Sequence, residues 1–287
     1  MTIKLHPNTE LGEVKLKVSN LQRSLAFYQE VIGLQILTQA GDTASLTVDG
    51  VHTFLVLEEL SSPIVPRNRT TGLYHFAILV PHREQLGLSL RRLIQSGIHI
   101  GQGDHAVSEA LYISDPDDNG IEIYADRPRE SWRVDAEGNV MMTVDPVDLD
   151  GLLAISEEKE WRGLPANTVM GHVHLHVADL QQAKAFYVDV LGFDIMFNGA
   201  ARMGALFVAA GGYHHHLGLN IWAGVGAPRP SKQSTGLEYY TIIVPTESEL
   251  ARVVDRLVAT GITVMETHLG WNVEDPSGNM IRLISKA

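Results

Sequence analysis

An internal repeat constrains what this chain can fold into more than any other feature of it. Leu11-Gly-Glu-Val-Lys-Leu-Lys-Val-Ser-Asn-Leu21 is followed by Ala26-Phe-Tyr28 and Val31-Ile-Gly33. Met170-Gly-His-Val-His-Leu-His-Val-Ala-Asp-Leu180 is followed by Ala185-Phe-Tyr187 and Val190-Leu-Gly192. Each copy reads as an alternating strand, an N-cap (Asn20 or Asp179) and a short helix closed by glycine. Short strands follow over 35–40, 44–48 and 53–57 in one copy, and over 194–198, 205–209 and 217–222 in the other. A second pair interleaves with the first: Gly72-Leu-Tyr-His-Phe-Ala-Ile-Leu-Val-Pro81 matches Gly236-Leu-Glu-Tyr-Tyr-Thr-Ile-Ile-Val-Pro245. Each member leads into an amphipathic helix (83–96 or 247–260) and ends in an Asp-Pro turn and a last strand.

The chain is therefore α+β, with four strand–helix–strand–strand–strand units of roughly fifty residues each. The units span about 11–60, 72–126, 170–222 and 236–285. By sequence order they form an N-terminal pair (1–126) and a C-terminal pair (168–287), joined by a linker over 127–167. The linker carries Pro128, Pro146 and Pro165, with room for a short helix over 148–158. A shorter separator, 61–71 with Pro63 and Pro66, lies between the first two units.

Composition narrows the chemistry. The formal net charge of -12 argues against nucleic acid or an anionic membrane as partner, because phosphates are met with Lys and Arg. No apolar run reaches transmembrane length and the first twelve residues lack a signal-peptide core, so the expected location is the cytoplasm. The absence of cysteine excludes disulfides, thiol nucleophiles and thiolate–metal sites. Any metal must be held by His, Asp, Glu or backbone oxygen, and 13 histidines make that feasible.

The densest stretch runs from Gly103 to Asp126. It holds His105, Tyr112, a turn (Asp115-Pro116-Asp117-Asp118-Asn119-Gly120) and Glu122. On an alternating last strand, Ile121 and Ile123 share one face while Glu122 and Tyr124 share the other. A strand glutamate is ordinarily solvated; beside apolar neighbours it needs a partner or a metal. His75 sits in an apolar strand, where a lone histidine is more often a hydrogen-bonded core residue. His172, His174 and His176 alternate onto one face, and parity alone does not choose between them. In the run His214-His215-His216, either His215 or its two neighbours point to the concave side, and an exposed cluster is the bland alternative.

Four such units resemble the vicinal-oxygen-chelate superfamily, whose βαβββ modules pair into cupped mixed sheets around a metal. Periodicity alone gives only repeated α+β units. In order and texture the chain looks most like the extradiol dioxygenases of that superfamily. The resemblance implies ligand positions on first strands, here Glu13, His75, His172 and Tyr239, and on last strands, here Glu122 and Arg282. His75, His172 and Glu122 make the two-imidazole, one-carboxylate set associated with non-haem Fe(II), and Mn(II) satisfies the same ligands. Sequential pairing of units would split that set; pairing unit two with three completes it in one cup and leaves Glu13, Tyr239 and Arg282 in the other. The second arrangement is the expected one.

The extradiol signature has a glycine two before a histidine, a Leu-Tyr pair, Asp-Pro, and a glutamate ten residues after the tyrosine. Gly103, His105, Leu111, Tyr112, Asp115, Pro116 and Glu122 stand at those offsets. Asp117-Asp118 departs from it, since glycine or proline is expected at the second place. The resemblance makes His215 the acid–base histidine, with Tyr112 and His105 donating hydrogen bonds to substrate. It implies a small aromatic diol and O2 as substrates, with homo-oligomerisation left open. Rival readings are a glyoxalase-like metal-dependent isomerase or lyase and a non-catalytic small-molecule-binding protein.

Overall fold

The computed structural model describes residues 4–65, 69–136 and 138–286. Pro66, in the expected separator, lies outside them. The first unit is β1 (Glu10–Val18), α1 (Leu21–Phe27), β2 (Gln35–Ala40), β3 (Thr43–Thr47) and β4 (Leu55–Glu59). The second is β5 (Gly72–Leu79), α2 (Arg83–Ser96), β6 (Gly101–Asp104), β7 (Ser108–Ser114) and β8 (Gly120–Asp126). A short helix, α3 (Leu149–Ile155), lies in the connection. The third unit is β9 (Val169–His176), α4 (Leu180–Lys184), β10 (Asp194–Asn198), α5 (Ala200–Met203), β11 (Ala205–Ala209) and β12 (Leu217–Asn220). The fourth is β13 (Gly236–Val244), α6 (Glu247–Ala259), β14 (Val264–Thr267), β15 (Gly270–Glu274) and β16 (Met280–Ser285).

The helices form where the sequence signals them. Asn20 and Asp179 each accept a backbone N–H of the first turn, satisfying donors that no helical carbonyl can reach. In α6, Leu250, Val253, Val254 and Leu257 recur at helical spacing and are all buried. The first helix of units one and three differs from a plain glycine-closed helix: each ends in a π-type turn, at Tyr28–Ile32 and Ala185–Val190. The wider turn is occupied by a buried tyrosine, Tyr28 or Tyr187, whose hydroxyl donates at 2.9 Å to the Asp of the Asp-Pro turn in the following unit, Asp115 or Asp275.

The strands form two mixed eight-stranded sheets, in the orders β10-β11-β12-β9-β5-β8-β7-β6 and β14-β15-β16-β13-β1-β4-β3-β2. Unit three is thus continuous with unit two, and unit four with unit one. The joints are the antiparallel pairs β5–β9 and β1–β13. One apolar core of both sheets and the helices, including Phe76, Ile78, Val173, Leu175, Val14 and Leu16, leaves the opposite faces free to line cups. Units of one half meet through helix and turn instead of strand pairing. Asp117 accepts from Ser19 N at 2.7 Å and pairs with Arg23, and in the other half Ser277 Oγ accepts from Ala178 N at 3.0 Å.

The departure in the turn falls at Asp118, which takes the left-handed position (φ 63°) that glycine fills in unit four, at Gly278 (φ 87°). Asp118→Gly is expected to raise stability by about 0.5 kcal/mol, the relieved strain exceeding glycine's entropy cost. A shift in urea midpoint at unchanged slope measures it; a destabilised variant would contradict the strain argument.

The connection is packed, not merely spanning. Helix α3 docks on α2 at Gly87, where an added Cβ would lie 2.2 Å from the Leu152 carbonyl oxygen. Further along, Asp104 and Asp145 exchange backbone hydrogen bonds at 2.8 and 2.9 Å, which pins the chain across β6.

Candidate metal centre and active site

Three adjacent strands, β9, β5 and β8, position the centre. Register places Ala77 opposite His172 on one side and Glu122 on the other, and His75 lies two residues back on the same strand face. The small Ala77 side chain leaves room for the three longer ones to converge. His75 Nε2 and His172 Nε2 lie 3.1 and 3.0 Å from Glu122 Oε2, and 3.4 Å from each other. All three residues are buried, with exposures of 6%, 1% and 2% for His75, His172 and Glu122. Among the described residues this is the cluster of metal-ligating side chains whose donor atoms all lie within 4.8 Å.

The electrostatics suit a cation. Burial pushes the Glu122 carboxyl up, but the opposing pull of His172 and His75 holds it well below the usual carboxylate range. Burial lowers His172 to about 4 against the attraction of Glu122, so its ring gives up a proton readily in favour of an incoming cation. A carboxylate and two imidazole nitrogens thus face one another with little solvent to screen them. Donor atoms on one face of an octahedral ion lie on the order of 3 Å apart, which these spacings match. The residues fit a divalent metal.

The other cup carries the same positions with different chemistry. Tyr239 Oη donates to Glu13 Oε1 at 2.6 Å, Arg282 Nη1 donates to both, and the guanidinium stacks on the Tyr239 ring. The arginine takes the place of a cation there, and a guanidinium is no ligand. The alternating histidines of β9 are also distinguished: His174 packs between Phe207 and Trp222, and His176 bonds to Asn220. Only His172 reaches Glu122.

The expected acid–base residues surround the buried trio. Tyr112 is directly across from Glu122 in the β7–β8 ladder. Burial, then the Glu122 charge, raises its hydroxyl pKa, so it stays protonated. Its oxygen lies 2.7 Å from His105 Nε2, whose Nδ1–H donates to the Thr143 carbonyl at 2.9 Å. The His215 ring lies tilted against His172 with centroids 4.1 Å apart, and burial holds it neutral. Its neighbour His214 points the other way, with Nε2 2.9 Å from Asp126 Oδ1 and Nδ1 2.8 Å from His215 Nδ1.

That chain fixes a tautomer. The carboxylate requires Nε2–H on His214, and with the other ring nitrogen bare His214 accepts at Nδ1 from His215 Nδ1–H. The lone pair of His215 is then on Nε2. Tyr213 adds a hydrogen bond to Asp126 at 3.0 Å and meets Tyr124 at 2.7 Å. Asp126 and His214 were not expected from sequence; the signal lies in strand ends, since β8 terminates at Asp126 beside the histidine run.

His216, partly buried, accepts from Ala210 N at 3.1 Å, and burial lowers its pKa to about 3. A folded-state pKa below the unfolded 6.5 means that its contribution is present above 6.5 and is lost as pH falls from there toward 3. The stability difference between wild type and His216→Asn is therefore expected to shrink by about 1–2 kcal/mol between pH 7 and pH 5. Paired denaturation curves read this directly; parallel pH profiles would exclude it.

His75, Glu122, Tyr112, His105 and His215 line one cavity of about 370 Å³, with His172 just behind them. Its walls are Val107, Phe197, Phe207 and Trp222, closed on one side by Met142, Thr143 and Val144 from the connection. No helix among the described residues is long and apolar enough to cross a membrane.

Comparison with known proteins agrees with this construction. A catechol-2,3-dioxygenase of Bacillus subtilis (strain 168) is 53% identical over 282 residues, 98% of this chain and 99% of that protein. A glutathione transferase FosA of Serratia marcescens is 28% identical over 40% of this chain and 79% of its own length. Glyoxalase I from Zea mays, 15% identical, superposes with a TM-score of 0.57 over 96% of this chain and 92% of the other, a likeness of fold alone. The sequence profile of the Glyoxalase/Bleomycin resistance protein/Dioxygenase superfamily matches residues 10–123 and 169–283. With its duplicated modules, cupped sheets and profile match over both halves, the chain belongs to that superfamily.

Proposed function

We propose that this chain is an extradiol ring-cleaving dioxygenase, inserting both atoms of O2 into a catechol to give a 2-hydroxymuconic semialdehyde. The observation that carries the reading is a His/His/Glu trio, two of whose members share one cavity with a neutral His215 and a protonated Tyr112. The near full-length similarity to a catechol-2,3-dioxygenase supports it. His75, His172 and Glu122 would hold Fe(II), with Mn(II) satisfied by the same donors, and the metal supplies a common template for diol and dioxygen.

The protein's own groups handle protons. His215 Nε2 takes a hydroxyl proton from the diol and returns it later in the cycle, which its neutral state and fixed tautomer permit. Tyr112 gives its O–H to His105 Nε2 at 2.7 Å, which holds the phenol in place, and would turn that O–H to a substrate oxygen when the diol enters. Apolar walls exclude water from the reacting ring. Anaerobic purification, metal analysis and then addition of catechol and air form the test. Iron or manganese near one per chain and a yellow ring-opened product are expected; neither metal, or no product from any catechol, refutes the reading.

A further inference from the structure

We infer that the cavity selects uncharged catechols carrying an apolar substituent and rejects carboxylated ones. This rests on the ring-cleavage reading for the diol, but the selection comes from walls outside the polar cluster. Among the described residues lining the cavity there is no lysine or arginine, and the one carboxylate is Glu122. A carboxylate on the ring would lose its water with no lysine or arginine to receive it, and would share the space with Glu122.

The apolar wall also continues out to the surface. Tyr74, Met203, Trp222 and Val144 line the cavity yet are 41%, 47%, 46% and 76% exposed. Large exposed apolar side chains gathered at one mouth mark a surface that a ligand covers. The platform is fixed, not loose: Trp222 Nε1 donates to the Met203 carbonyl at 2.7 Å, and the Trp222 ring meets Tyr74 edge-on at 5.1 Å. An alkyl or aryl group extending from a diol anchored near Glu122 would lie along this platform and cover it.

The experiment compares catechol, 4-ethylcatechol and 3,4-dihydroxybenzoate with the metal-loaded enzyme, by kcat/KM in air and by calorimetric binding without oxygen. The expected result is 4-ethylcatechol at least equal to catechol, and the acid lower by roughly a hundredfold or more in both measurements. Met203→Arg should raise the acid-to-ethyl ratio about tenfold by supplying the missing cation. Acid bound and cleaved within about tenfold of 4-ethylcatechol overturns the inference, as does an unchanged ratio in Met203→Arg. Should no diol be cleaved while the binding order holds, the selection stands and the dioxygenase reading falls.

Discussion

Glu122→Ala is expected to reduce bound metal to background and abolish ring cleavage, whereas Glu13→Ala keeps both. The two glutamates occupy equivalent places in the two cups but face opposite partners. Glu122 is the only anion among the converging donors, and two neutral imidazoles alone hold a divalent ion far more weakly. Glu13 faces Arg282 and Tyr239 in the other sheet, and removing it strands a largely buried guanidinium. That costs about 1–3 kcal/mol of stability without touching the metal. Metal content by elemental analysis and unfolding midpoints for both variants separate the effects. Loss of metal in Glu13→Ala would place the ion in the wrong cup and sink the assignment.

The four units were legible from the repeat itself, while the ligand positions within them came from the resemblance to the superfamily. Once the units are aligned, unit two supplies His75 and Glu122, unit three supplies His172, and only a joint between them makes a usable donor set. The joint is observed as β5 beside β9, with Ala77 spacing the ligands. What the repeat could not carry is whatever the two halves do differently. Met142, Thr143 and Val144 sit in a segment with no counterpart elsewhere, so their place in the cavity wall depends on how that segment crosses β6. The alternation of His214, His215 and His216 left two choices, and the short loop before β12 settles it by turning His214 to Asp126. The π-type turns were likewise hidden, because the buried tyrosine that occupies each one is fixed by a partner about 87 residues away.

His215→Gln is expected to lower kcat by roughly a hundredfold to ten-thousandfold while leaving metal content and diol binding nearly intact. Its ring lies against His172 without competing for Glu122, so its loss removes a proton acceptor and not a ligand. Asp126→Asn tests the same group from a distance. An amide N–H can face His214 Nε2, which favours a proton on Nδ1 of His214 and reverses the bond to His215. The proton then sits on His215 Nε2, where a lone pair is needed. A kcat loss of roughly tenfold to a hundredfold with unchanged KM is expected, by the same tautomer logic that governs carboxylate–histidine pairs elsewhere. A merely structural role for Asp126 predicts instead lower stability with normal kcat in the folded fraction. If Asp126→Asn behaves that way while His215→Gln is crippled, the tautomer chain is wrong and His215 acts without it.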